Sequence, residues 1–342
     1  MGRCPGEPNN GVEVRSTLPL HSVHELLGDV MSTIVPVPAE PPSPVDGLTA
    51  EPTTKARRVV IPALIMVLGM LVLLYPVVAT QWNNWLQQRA AEQYEQEVVA
   101  DDAEPDVSQA VVDAHRYNET HPDGPILDPW LARISADNAD YQEYLKQLSG
   151  LSAMSNVVIP SIDSSLPVYH GTSESTLQKG VGHLYGSSLP VGGAGTHAVL
   201  TGHTGLTNAT LWDNLIDIQE GDPIYVSTFG ERMKYEVHAT EVVLPDDTDS
   251  LKAMPGEDLL TLITCTPYGI NTHRLLVHAH RVPMDPAEAA VFDDLKFPIQ
   301  WWMWVVLAIA AVSLVAMIRW LTRARKEQSD TAGSYTREHT RA

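Results

Sequence analysis

Two stretches of this chain are long and apolar enough to demand a membrane. Residues 59–79 (VVIPALIMVLGMLVLLYPVVA) carry no charged side chain, and about 20 apolar residues suffice to cross the roughly 30 Å hydrocarbon layer. Residues 299–318 (IQWWMWVVLAIAAVSLVAMI) contain Gln300 and Ser313 as their only polar side chains, with Trp301, Trp302 and Trp304 at the start and Trp320 just past the end. Tryptophans gather at the membrane–water boundary, so this second stretch reads as a span rather than a buried core helix. The first could be a secretory signal, but it starts 58 residues in, exceeds the usual signal core and shows no small-x-small cleavage pattern near Thr80. It reads as a retained anchor.

Lys55, Arg57 and Arg58 precede the first span, and Arg319, Arg323, Arg325 and Lys326 follow the second. Cytoplasmic flanks are the basic ones, so both termini are expected in the cytoplasm and the intervening segment outside, in the cell membrane of a multi-pass protein. The formal net charge of -20 argues against nucleic acid as a partner. The topology also separates the two cysteines: Cys4 lies before the first span and Cys265 between the spans. The exterior domain thus holds one thiol where disulfides are the norm, which makes Cys265 either a reactive thiol or an inert core residue.

Composition divides the rest. Residues 1–57 (with VPVPAEPPSPVDG) read as a disordered cytoplasmic tail, with a short helix possible over residues 21–31. Residues 58–79 form the first span, and 80–150 a helical stalk and loop segment. Within the latter, 81–118 are helix formers broken at Pro105, 117–130 (YNETHPDGPILDPW) form a loop, and 135–148 form a helix with Ser135 as N-cap. From about residue 151 to 285 short apolar runs alternate with turn signals: SNVVIP, LPVYH, THAVLTGH, PIYVSTF, MKYEVHATEVVLP, DLLTLITC and HRLLVHAHRV. These read as strands of an all-β barrel or sandwich. The glycine-rich VGGAGTH lacks phosphate-loop spacing and is a plain loop. Residues 286–298 link to the second span at 299–320, and 321–342 form a polar cytoplasmic tail.

TLITC places Cys265 at the end of an apolar strand, followed at once by Thr266 and Pro267. Proline forces the chain out of the sheet, so the sulfur can be accessible while its backbone is held. After PYGINTH, Arg274 opens the next strand, an offset that fits a hairpin with Cys265 and Arg274 side by side. Beside a nucleophilic sulfur, the guanidinium can favour the thiolate, hold a carbonyl or stabilise an oxyanion. His203 sits in VLTGHTGL, where a strand meets a glycine-flanked turn, and an imidazole there supplies acid–base chemistry to a thiol. His197, earlier on the same strand, is its rival for that role. His278 and His280 share a strand face, but no zinc-type ligand spacing surrounds them, and no acidic stretch has the EF-hand pattern. No metal or cofactor is expected.

TLITCTPYGINTHRLLVHAHR resembles the sortase signature, a TLxTC strand followed by an arginine strand, and its PYGxNxHR spelling is similar to that of class C (pilus-specific) sortases. GTHAVLTGHTGL with LWDNLIDIQEGDPIYV resembles the histidine segment of the same family. The resemblance implies a mainly β protein: a closed eight-stranded sortase-type β-barrel with N-terminal helices and a lid loop, flanked by two transmembrane helices. It implies a cysteine transpeptidase of a Gram-positive cell wall, a monomer acting on pilin or surface proteins with LPxTG-like sorting signals. Cys265 would form the acyl-thioester, His203 would act as acid–base, Arg274 would stabilise the transition state, and a pilin lysine amine would resolve the thioester. Anchoring of surface proteins to cell-wall peptide is the alternative within that chemistry, and a non-catalytic membrane-tethered β-domain scaffold the alternative outside it. The resemblance also gives meaning to Asp128-Pro129-Trp130, which matches the DP-aromatic lid motif of class C enzymes. Asp128 would pair with Arg274 and Trp130 would cover the sulfur.

Overall fold

The computed structural model describes residues 53–101, 105–122, 124, 128–129, 135, 137–293 and 299–339. Trp130 and the helix expected over 21–31 lie outside the described residues. Among these residues five α-helices and eight strands follow in chain order: α1 (Thr53–Asp101), α2 (Pro105–Thr120), α3 (Ala139–Tyr144), β1 (Ser155–Ile159), β2 (Ser164–His170), α4 (Glu174–Leu177), β3 (Val181–His183), β4 (Thr196–Thr201), β5 (Pro223–Thr228), β6 (Glu231–Val243), β7 (Asp258–Thr266), β8 (His273–Val282) and α5 (Trp301–His339).

The strands close into a barrel in the order β1-β2-β3-β4-β7-β8-β6-β5, with β5 pairing back onto β1. Seven of the eight coincide with the apolar runs of the sequence. The one without a sequence signal, β3, is three residues long and includes Gly182; parallel pairing with β2 and antiparallel pairing with β4 create it. Two pairings are parallel, β2 with β3 and β4 with β7. Side chains alternate across each strand. Ala198 and Leu200 of β4, Leu260 and Leu262 of β7, and Leu275 and Val277 of β8 fill the barrel with Trp212. The opposite faces of the same strands are covered too: Val199, Ile263 and Leu276 pack under Leu184 and Leu251. Being buried on both sides is why TLIT and RLLV read as continuous apolar runs rather than as an alternation.

The helices before the barrel form more than a stalk. The lower half of α1 docks on the barrel: the Tyr94 hydroxyl accepts from Phe229 N at 2.7 Å, and the Asn84 amide bonds both the backbone and the hydroxyl of Thr210. The described part of α1 ends at Asp101, and Pro105 is the first residue of α2. That helix packs Val111 and Ala114 against Tyr144, Leu148, Leu189 and Phe229, a second core beside the barrel. Asn138, not Ser135, caps α3: the helix starts three residues later than its polar signal suggests, and Asn138 Oδ1 accepts from Tyr141 N at 2.9 Å.

Among the described residues two helices are long and apolar enough to cross a membrane, over Val59–Ala100 and Trp301–Lys326. They meet where Gln81 donates to the Met303 sulfur at 3.1 Å, and Gln300 ties the start of α5 to Asn214 of the barrel at 2.9 Å. The 286–298 linker contains a 3-10 helix over Pro286–Phe292, and α5 continues through the tail as far as His339.

Candidate active site

β7 carries Cys265 as its penultimate residue, on the face opposite Leu260 and Leu262. Across the antiparallel ladder Cys265 pairs directly with Arg274 of β8, which sets their Cα atoms about 5 Å apart. On its other side β7 runs parallel to β4, with Thr201 opposite Ile263. The pairing persists past the strand end, since Gly202 N donates to Ile263 O at 3.0 Å and Thr264 Oγ1 donates to Gly202 O at 2.9 Å. Two residues beyond the Thr201–Ile263 pair stand His203 and Cys265. The register thus sets Cys265 beside Arg274, with His203 two residues past the end of β4, the strand on the other side of β7.

The loop after β4 is held by hydrogen bonds. Trp212 N donates to His203 O at 3.1 Å, and Asp213 Oδ1 accepts from Gly205 N at 2.7 Å and from Thr204 Oγ1 at 3.1 Å. Gly202 is dictated by contact: a Cβ there would lie 2.5 Å from the fully buried Trp212 ring. Burial raises the Asp213 carboxyl above its usual range, against two hydrogen bonds that favour the charged form.

Asp128 reaches Arg274 from the segment before the barrel. Arg274 Nε donates to Asp128 Oδ2 at 2.7 Å and Nη2 to Oδ1 at 3.2 Å, a bidentate pair with the arginine side chain 8% and the aspartate 3% exposed. Arg274 Nη1 also donates to the carbonyls of Asn271 and His273. Pro129, next in the chain, accepts at its carbonyl from Thr172 Oγ1 at 3.0 Å. Cys265 is covered in this arrangement, at 8% exposure. Burial pushes its thiol pKa up; the Arg274 charge pulls it down, and Asp128 pushes it up again. The aspartate thus works against the thiolate while it neutralises the arginine that favours it.

The His203 side chain is 12% exposed, and its Nε2 lies 3.3 Å from Glu174 Oε2. The rival histidine is elsewhere. His197 pairs with Leu259, six residues back along β7 from Cys265, about 20 Å away at the rise of a strand. It bonds Lys252 O and Thr261 Oγ1, and burial pushes its pKa down to about 4. His278 bonds Thr261 and Glu241, and His280 Nδ1 hydrogen-bonds His238 Nδ1 at 3.4 Å at the β6 bulge. Among the described residues no group of three or more His, Cys, Asp and Glu side chains is arranged to hold a metal ion. Glu174 and Asp213 are the site-lining carboxylates that sequence reasoning passed over. Asp213 lay inside the LWDNL run, while nothing local marks Glu174.

A model of the sortase domain matches residues 157–282, which span the barrel from β1 to β8. Sortase D of Bacillus subtilis is 30% identical over 152 residues, covering 43% of this chain and 73% of the relative. The chain belongs to the sortase family. Sortases are cysteine transpeptidases, so this sortase is an enzyme and not a scaffold built on the same barrel. Its structural matches include class C sortases. Sortase C-1 of Actinomyces oris is 54% identical with a TM-score of 0.50, the match covering 52% of this chain and 99% of that one. A sortase C of Streptococcus pneumoniae, whose structure is described in terms of catalysis and pilin substrate specificity, is 37% identical with a TM-score of 0.51, covering 57% and 97%.

Proposed function

We propose that this sortase joins pilin subunits, with Cys265 as nucleophile, His203 as acid–base and Arg274 as the stabiliser of developing negative charge. The observation that carries the reading is the direct pairing of Cys265 with Arg274 on β7 and β8, with His203 two residues past the end of β4, the strand that runs parallel to β7. The Cys265 sulfur attacks the carbonyl of the threonine in an LPxTG-like sorting signal. His203 takes the thiol proton and returns it to the leaving glycine amine as the C–N bond breaks. The fixed N–H fork of Arg274 meets the oxyanion of the tetrahedral intermediate. A lysine amine of the next pilin then attacks the thioester, loses its proton to His203 and releases the thiolate. An isopeptide bond replaces the peptide bond that was broken.

Asp128 and Pro129, with Trp130 following them, act as the lid. A bidentate Asp128–Arg274 pair withdraws from the substrate the very guanidinium the reaction needs. The resting enzyme is therefore closed, and the lid opens before the sorting signal enters. The lid and the pilin specificity described for the pneumococcal relative favour polymerisation over wall anchoring. In the cell, α1 and α5 anchor the enzyme with both termini inside, which sets the barrel against the outer surface where subunits arrive.

The test is a reaction of the full chain in detergent with an LPxTG-bearing pilin, followed by mass spectrometry of the joined peptide. A threonine–lysine isopeptide that vanishes with Cys265→Ala is the expected product. Polymers formed equally well by Cys265→Ala would refute the proposal.

A further inference from the structure

The carboxylate of Glu174 has no part in the chemistry above, yet it meets the one ring that moves protons. We propose that Glu174 is a positioning residue for His203, fixing which ring nitrogen faces the sulfur. The inference rests on the reading of Cys265 and His203 as the acyl-transfer pair.

Glu174 Oε2 lies 3.3 Å from His203 Nε2, and its other oxygen, Oε1, accepts from Gln178 Nε2 at 2.9 Å. The residue is not on a loose loop. It opens α4, whose N-cap Ser173 accepts from Thr176 N at 3.2 Å. Just before it, Gly171 N donates to the Tyr144 hydroxyl at 2.9 Å and Thr172 bonds Pro129 of the lid segment. The carboxylate is thus presented from a framework tied to α3, to β2 and to the lid. An exposed carboxylate–imidazole pair adds little to folding stability, and the Glu174 side chain is 64% exposed. Its consequence is local. An imidazole that donates its Nε2–H to a carboxylate carries its lone pair on Nδ1. Nδ1 then accepts the thiol proton as sulfur bonds to the threonine carbonyl, and the same Nδ1–H goes to the leaving amine. Without the carboxylate the ring loses this hydrogen bond and the tautomer bias it imposes, and a larger part of the population presents the wrong nitrogen.

Single-turnover acylation tests this in the full chain, in an Asp128→Ala background so that lid opening does not limit the rate, with an LPETG peptide as probe. Glu174→Ala should slow acyl-enzyme formation roughly threefold to tenfold, the worth of one orienting hydrogen bond, with the peptide concentration at half-saturation unchanged. Glu174→Gln keeps a carbonyl acceptor and should recover the parent rate to within about twofold. An unchanged rate in Glu174→Ala, a Glu174→Gln as slow as Glu174→Ala, or a change confined to half-saturation would each overturn the proposal. A parent that forms no thioester on Cys265 is a different result: it removes the acyl-transfer reading itself, and this inference with it.

Discussion

The lid claim makes a quantitative prediction about Asp128. Its carboxylate holds Arg274 through two charge-assisted hydrogen bonds, both partners almost fully buried. Counting only the shorter bond, a hydrogen bond to a charged group contributes about 1.5–3 kcal/mol net, a lower bound for the pair that is present with the lid closed and absent with it open. Asp128→Ala should therefore raise the open fraction by roughly ten- to a hundredfold. The thiol pKa moves in the same direction. Asp128 and burial both push the Cys265 pKa up while Arg274 pulls it down, so removing the aspartate and exposing the sulfur both favour the thiolate. Pseudo-first-order modification of Cys265 by a small thiosulfonate reagent at neutral pH reads the two effects together. The rate should climb by at least tenfold and then level off once the open state dominates. Asp128→Asn, which keeps the shape but not the charge, should fall between wild type and Asp128→Ala. A rate within twofold of wild type in Asp128→Ala would refute the reasoning, because a buried bidentate clamp cannot be both the closure and irrelevant to access.

Three further outcomes follow from the same geometry. Gly202→Ala places a Cβ 2.5 Å from the Trp212 ring; overpacking of this kind costs about 1–3 kcal/mol, so thermal unfolding should come several degrees earlier, and acylation should slow because His203 is the next residue. Arg274→Lys keeps the charge but loses the fork, so kcat should drop about a hundredfold while chromatographic and circular-dichroism signatures of folding stay native. Stability should fall in acid: burial pushes the pKa values of His183 and His197 down to about 4, so the unfolded chain binds more protons than the fold as pH drops from about 6.5 to 4. Each histidine then removes about 2 kcal/mol between pH 7 and pH 5, and a melting temperature that is flat or rises over that interval would contradict their buried neutral state.

The parts of the site joined by short stretches of chain were legible in the sequence. Cys265 and Arg274 belong to one hairpin, so a strand ending at proline and a second opening nine residues later imply their pairing, and the ladder matches it. His203 could be placed at a strand end, but not beside Cys265. That neighbourhood depends on the parallel register of β4 on β7, which no local pattern encodes. The same register separates His197 from the sulfur, a distinction that two histidines on one apolar strand cannot make by themselves. β3 was invisible for a related reason: three residues show no periodicity, and this strand exists through its neighbours.

Contacts between distant segments lay furthest beyond reach. Asp128 and Arg274 are 146 residues apart, and an Asp-Pro-aromatic tripeptide is an ordinary turn until a barrel stands behind it. The family resemblance, not the spacing, put Asp128 over the site. For Glu174 there was not even a motif, because the meaning of its carboxylate comes from α4 packing on β3, which brings it to His203 just past the end of β4. The three proposed reacting groups thus stand at or just past strand ends, whereas the two carboxylates that meet them, Asp128 on Arg274 and Glu174 on His203, come from connections outside the sheet. On the proposed mechanism, access and proton placement change through those connections while the barrel stays fixed.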